Sequence, residues 1–190
     1  ACEPGLAASL ITLSFLNGEA GNLELSISRS LEALSYIKDQ PQSGVLINAW
    51  YALGWAYYYS GDYPASLEFG LKSLKTAREI EHKEQEAWCL DLVAGTYMDP
   101  GEASQMYKDA YDIFVEIEDT QGQTRILNNW AYTLMKSGDF PHALEMAQQS
   151  LDLAKHEGLK GDVVNITATI GEILTNMGEY EQAKSNLQDA

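Results

Sequence analysis

One short turn recurs five times along this 190-residue chain: Gly21-Asn22-Leu23, Gly61-Asp62-Tyr63, Met98-Asp99-Pro100, Gly138-Asp139-Phe140 and Gly178-Glu179-Tyr180. The middle residues stand 40, 37, 40 and 40 apart, and a fixed period of this length belongs to stacked supersecondary units. Each unit reads as two helices around the turn. The segment before each turn carries large apolar residues at helical spacing. The segment after it places a small residue at one fixed position: Ser26, Ser66, Ala103, Ala143 and Ala183. Small side chains let helices approach closely, so this column marks where the two helices of a pair touch. A second column, Leu34, Leu74, Tyr111 and Leu151, is apolar as a core position requires. Pro64, Pro100 and Pro141 fall in the first turn of the second helices, where a missing N–H costs nothing.

This phase puts the first helices at about 6–19, 44–59, 84–97, 121–137 and 161–177, and the second helices at about 23–38, 63–81, 100–117, 140–157 and 180–190. The repeats then span about 6–43, 44–83, 84–120, 121–160 and 161–190, after an N-terminal tail of residues 1–5. Turn-rich segments at 39–44 and 158–162 are connectors, too short for domain linkers.

Trp50-x-x-Leu53-Gly54-x-x-Tyr57 fits the tetratricopeptide signature, and the chain resembles a tetratricopeptide-repeat protein. Its period exceeds the common unit of about 34 residues. Long repeats of this kind resemble those of bacterial signalling proteins, transcriptional regulators and kinesin light chains. The resemblance implies an all-α fold, a right-handed α-solenoid superhelix of five helix–turn–helix units in one domain over residues 6–190. Three departures stand out. Met98 replaces the turn glycine in the shortened third repeat, where stacking is expected to be irregular. The first helix lacks the Trp and Gly of the signature. The last helix reaches Ala190 sooner than its counterparts end, which reads as part of a longer protein.

In such arrays consecutive first helices line the concave side. The resemblance therefore assigns inward residues: Asn48, Tyr51, Trp55, Tyr58 and Tyr59, then Trp88 and Leu92. The fourth repeat adds Arg125, Asn128, Asn129, Tyr132 and Lys136, and the fifth Asn165, Thr169 and Glu172. Rings offer apolar area with few rotatable bonds, and Asn both donates to and accepts from a peptide backbone. Together they suit an extended or helical peptide, although rings at helical spacing also serve as core.

The formal charge of −16 lies mostly on second helices and loops. Of the acids only Glu19 and Glu172 occupy inward positions, beside Arg125 and Lys136, so the expected groove is near neutral and the acid is a solvated outer face. Without a basic stripe, nucleic acid is not a partner. Clamping of a C-terminal carboxylate, known in the family, is disfavoured because the first three repeats offer no inward cation.

The composition, 45% hydrophobic and 10% aromatic, excludes general disorder, and the longest apolar run, Ala49 to Tyr59, is too short to span a membrane. Cys2 and Cys89 form no disulfide framework or CxxC pattern, which fits a cytoplasmic protein. Cys89 reads as a small core residue. His82, His142 and His156 share no helix face with a nucleophile or metal ligand, and no catalytic motif is present. No catalytic residue, metal ligand or cofactor is assigned.

The expected function is a protein–protein interaction scaffold holding a peptide or helical segment in the groove. The alternative is a regulatory or sensor module of a larger signalling protein or transcription regulator, binding an effector or an adjoining domain. Self-association through the open C-terminal repeat is a third expectation.

Overall fold

The computed structural model describes residues 3–37, 43–97 and 99–188. Cys2, Met98 and most of the 39–44 connector lie outside them. Ten helices and no strands occur among the described residues: α1 (Glu3–Glu19), α2 (Leu23–Ile37), α3 (Gly44–Ser60), α4 (Tyr63–Glu79), α5 (Lys83–Thr96), α6 (Pro100–Glu116), α7 (Thr120–Ser137), α8 (Phe140–Glu157), α9 (Lys160–Asn176) and α10 (Tyr180–Gln188). The odd-numbered helices are the first helices of the repeats. Only α1 departs noticeably from expectation, starting at Glu3 with Pro4 in its first turn, where no intrahelical N–H is required.

The recurring turn explains itself at atomic level. Gly61 and Gly138 close α3 and α7 at φ 83° and 86°, the left-handed conformation that a Cβ disfavours. The next residue caps the following helix. Asp62 Oδ1 accepts from the Ala65 N–H at 3.1 Å, and Asp99 Oδ1 accepts from that of Glu102 at 2.8 Å. Between repeats the same left-handed step falls on Glu81 (φ 56°), Glu118 (φ 57°) and Gly158 (φ 69°), and Asp119 Oδ1 accepts from the Gly122 N–H at 2.9 Å.

The chain divides into two compact units, Ala1–Tyr97 and Met98–Ala190. The division falls at the turn where the repeat spacing shortens. In the first unit, α1 to α5, Ala7, Leu10, Ile11, Ala33, Ile37 and Leu46 form one buried cluster. In the second, α6 to α10, the corresponding cluster joins Ala131, Ala143, Ala147, Leu151, Ile166 and Ile170. Every member of the small column is buried: Ser26, Ser66, Ala103, Ala143 and Ala183. One polar link also repeats. Ser73 Oγ donates to the Ile47 carbonyl at 3.0 Å, and Ser150 Oγ to the Thr124 carbonyl at 2.7 Å, each tying a second helix to the first helix 26 residues back.

First helices touch one another within each unit, α1 with α3, α3 with α5 and α7 with α9, whereas no second helix touches another among the described residues. The first helices are therefore the inner layer of each unit.

Candidate functional site

In the first unit the inner layer carries a continuous run of rings. α3 has no Asp, Glu, Lys or Arg over its 17 residues, and its inward positions after Asn48 are aromatic. Phe15 of α1 lies 6.0 Å from Tyr51, Tyr51 meets Trp55 edge-on at 6.2 Å, and Trp55 packs against Tyr58 at 5.2 Å and stacks on Tyr59 at 5.6 Å. Tyr58 continues edge-on to Tyr63 at the start of α4, 5.6 Å away. Such edge and offset contacts hold each ring in place through its neighbours. The run starts half-buried and ends in water: Tyr59 is 61% and Tyr63 51% exposed. Tyr57 turns the other way and stacks on Phe69 at 5.7 Å.

The remaining assigned residues of this unit divide between surface and core. Asn48 is half-buried and its Oδ1 accepts from Gln85 Nε2 at 2.9 Å, bridging α3 to α5. Gln85 Oε1 is buried without a hydrogen-bond partner. Trp88 is half-buried. Leu92 does not line the inner surface: it is fully buried. A Cβ on Gly54 would come within 2.6 Å of its Cδ2, and one on Gly70 within 3.4 Å of its Cγ. Two glycines leave a hole, and Leu92 fills it.

In the second unit the inner layer is polar. Arg125, Asn128 or Asn129, Tyr132 and Lys136 succeed one another at helical spacing along α7. Arg125 and Lys136 are exposed, Asn128 and Asn129 half-buried, and Tyr132 is 38% exposed. Lys136 Nζ sits 5.7 Å from the centre of the Tyr132 ring, within cation–π range. Asn128 Oδ1 is buried and accepts no hydrogen bond. On α9, Asn165 and Glu172 are exposed, and half-buried Thr169 donates its hydroxyl to the Asn165 carbonyl at 3.2 Å. A shallow cleft of about 350 Å³ opens elsewhere, between second helices α8 and α10, over Leu144, Gln148, Ile170, Leu174 and Gln182.

Reasoning from sequence missed Phe15, Tyr63 and Gln85. Phe15 was legible, since it stands 40 residues before Trp55, at the same repeat position. Gln85 was legible too, since it stands 37 residues after Asn48, at the same repeat position; Tyr63 belongs to a second helix, and only the fold brings it here.

Cys89 and the three histidines each have a local partner. Burial pushes the Cys89 thiol up to about 12, its contact with Ser73 opposing the shift. Cys89 Sγ lies 2.9 Å from Ser73 Oγ, a small core residue as expected. His82 caps α5, His142 pairs with Asp139 at 2.8 Å, and His156 with Glu157 at 2.9 Å, all exposed. Among the described residues no three His, Cys, Asp or Glu side chains converge to hold a metal. No helix is long and apolar enough to cross a membrane among those residues.

No family model matches the chain, and no curated protein matches it. Solved structures do. BtubC (BKLC) from P. vanneervenii superposes over 98% of this chain and 79% of its own, with a TM-score of 0.76 at 18% identity. A Podosopora anserina protein described as a kinesin light chain, with nearly identical TPR-like repeats, covers 97% of this chain and 93% of its own, with a TM-score of 0.71 at 12% identity. The fold is of tetratricopeptide type. The Rap conjugation gene regulator of the plasmid pLS20, in complex with a Phr peptide, shares this TPR-type fold over 91% of the chain and 49% of its own, with a TM-score of 0.75 at 17% identity. The all-α repeat architecture read from the turns is thus the one the molecule has.

Proposed function

We propose that this TPR-type chain is a protein–protein interaction scaffold that holds a peptide or helical segment against the inner faces of its first helices. The observation that carries this reading is the ring run from Phe15 to Tyr63, uncharged along α3 and more than half exposed at Tyr59 and Tyr63. Rings pre-positioned by their neighbours lose little freedom when a ligand covers them. In the first unit Asn48, Tyr51, Trp55, Tyr58, Tyr59 and Trp88 would supply the contact surface. In the second unit Arg125, Asn128, Asn129, Tyr132, Lys136, Asn165 and Thr169 would supply one of its own. One array over residues 6–190, a cytoplasmic setting and a non-catalytic role belong to the same proposal. The peptide complex of the structurally similar Rap regulator supports it by analogy of fold.

That structure is also named as a regulator and is twice as long as the matched region, which favours a second reading. There the repeats are the sensor part of a larger regulatory protein, and an adjoining domain or small effector occupies the same faces.

The test is selection of peptides from a displayed library on the 190-residue chain, followed by titration against Trp55→Ala and Tyr59→Ala proteins of unchanged helicity. Truncating a ring at the centre of an interface costs about 2 kcal/mol, so affinity is expected to fall roughly 30-fold. Selected peptides that bind all three proteins equally would remove the ring run from the site. No selected binder at all would favour the sensor reading.

A further inference from the structure

The ring run of the first unit ends in a charge pattern as well as in water. α3 touches both α1 and α5, so the exposure of Tyr59 is not that of a terminal helix. Tyr59 stacks on Trp55 at 5.6 Å and remains 61% exposed, and Tyr63, which Tyr58 meets edge-on, is 51% exposed. The face of an aromatic ring is its negative pole, so ring surface open to water attracts cations as well as apolar groups.

Repeat register shows which charges accompany these rings. In α7, Tyr132 is followed one turn later by Lys136, whose Nζ lies 5.7 Å from the ring centre. The same two positions 77 residues earlier hold Trp55 and Tyr59, and 40 residues before those, Phe15 and Glu19. One inner position is thus an acid in α1, a ring in α3 and a cation in α7. The second unit brings its own cation to its ring, whereas the first brings an acid and a second ring. Glu19 ends α1 one turn beyond Phe15, the residue that meets Tyr51 at 6.0 Å, and Asp62 immediately precedes Tyr63. Both acids are exposed, and neither forms an ion pair among the described residues. From Asp39 to Leu71 the sequence has no Lys or Arg, so neither α3 nor the first half of α4 carries a cation of its own.

We propose that the exposed end of the ring run takes a cationic side chain, Arg or Lys, from the bound segment, with Glu19 and Asp62 as the opposing charge. This deepens the reading of the inner layer as a peptide-holding surface and rests on it. The rings supply contact area for a planar guanidinium or a lysine stem. The carboxylates add Coulomb attraction, screened beyond roughly 8 Å at physiological salt. The net charge of −16 adds a long-range attraction for the same class of ligand. The contact between ring and cation is the larger effect, about tenfold in affinity once covered. An exposed ion pair adds about threefold or less.

Two displayed peptide libraries of equal length, one with all residue types and one without Lys and Arg, are selected in parallel on the 190-residue chain. Binders that Trp55→Ala weakens are kept as ring-dependent. Those from the first library are expected to bind at least ~10-fold more tightly than any from the second. Replacing the Arg of such a peptide by citrulline, or its Lys by acetyl-lysine, removes the charge and is expected to cost ~10-fold. Affinity should also fall as salt rises from about 0.05 to 0.5 M. The double variant Glu19→Gln, Asp62→Asn removes both protein charges while Asn still caps α4. It is expected to weaken the charged peptide about threefold and to leave the neutral one unchanged. An equal loss for both peptides overturns the part given to Glu19 and Asp62. Ring-dependent binders of equal affinity from both libraries, proline-rich ones included, overturn the cation and leave the scaffold reading standing. A neutral peptide that binds as tightly as its charged parent does the same. No ring-dependent binder from either library overturns both.

Discussion

Two serines in the small column should respond oppositely to the same substitution. Ser26 Oγ donates to the Ser14 carbonyl at 2.8 Å, within a buried cluster where Ser14 Oγ also lies 2.7 Å from Ser30 Oγ. Ser66 Oγ is equally buried and has no partner. An intramolecular hydrogen bond contributes about 1 kcal/mol net, whereas a buried unpaired hydroxyl carries an uncompensated desolvation cost of about the same size or more. Ser26→Ala is therefore expected to destabilise by ~1 kcal/mol and Ser66→Ala to stabilise by ~1 kcal/mol, read from urea midpoints at constant slope. Cys89 is a second case in which burial decides behaviour. Its folded pKa is raised from 9.0 to about 12, so the folded state holds the thiol proton more tightly than the unfolded chain. That preference is fully present below pH 9 and is lost as pH climbs towards 12. The thiol should resist alkylation in native protein at pH 8.5 and react once urea unfolds the chain; rapid native labelling at Cys89 would contradict its burial.

The helices owe their ends to short, local chemistry, and cap geometry ranks the ends. Asp119 Oδ1 accepts from the Gly122 N–H at 2.9 Å, whereas His82 Nδ1 stands 3.5 Å from the Gln85 nitrogen. Removing a well-formed cap costs about 1 kcal/mol. Asp119→Ala is expected to lower stability by ~1 kcal/mol and His82→Ala by less than ~0.5 kcal/mol, compared by urea unfolding. Equal losses would mean that the caps do not set these helix starts. The turns at Gly61 and Gly138 were legible because Gly followed by Asp meets two backbone requirements at once. The turns between repeats were less so, since Glu81 and Glu118 adopt the left-handed conformation without the glycine that usually signals it.

Because each repeat touches only its neighbours, damage should stay local. Ala143 is fully buried in the small column of the second unit. Ala143→Trp overpacks the contact between α7 and α8 and is expected to cost about 2 kcal/mol or more. Amides of α7 to α9 should then exchange at least ~30-fold faster, with those of α1 to α3 unchanged. Uniform acceleration across both units would show instead that the molecule unfolds as a single cooperative block.

The number of helix pairs, their phase and the all-α class were determined by the sequence alone, because turn, cap and helix periodicity are properties of adjacent residues. The aromatic character of α3 was legible for the same reason. Which of those side chains face water was not. Leu92 carries the inward phase of its helix, yet Gly54 and Gly70, distant in sequence, open the hole that takes it. Tyr63 joins the ring run only because α4 starts beside Tyr58. Burial is decided by neighbours brought together through space, and only the tertiary structure supplies those neighbours.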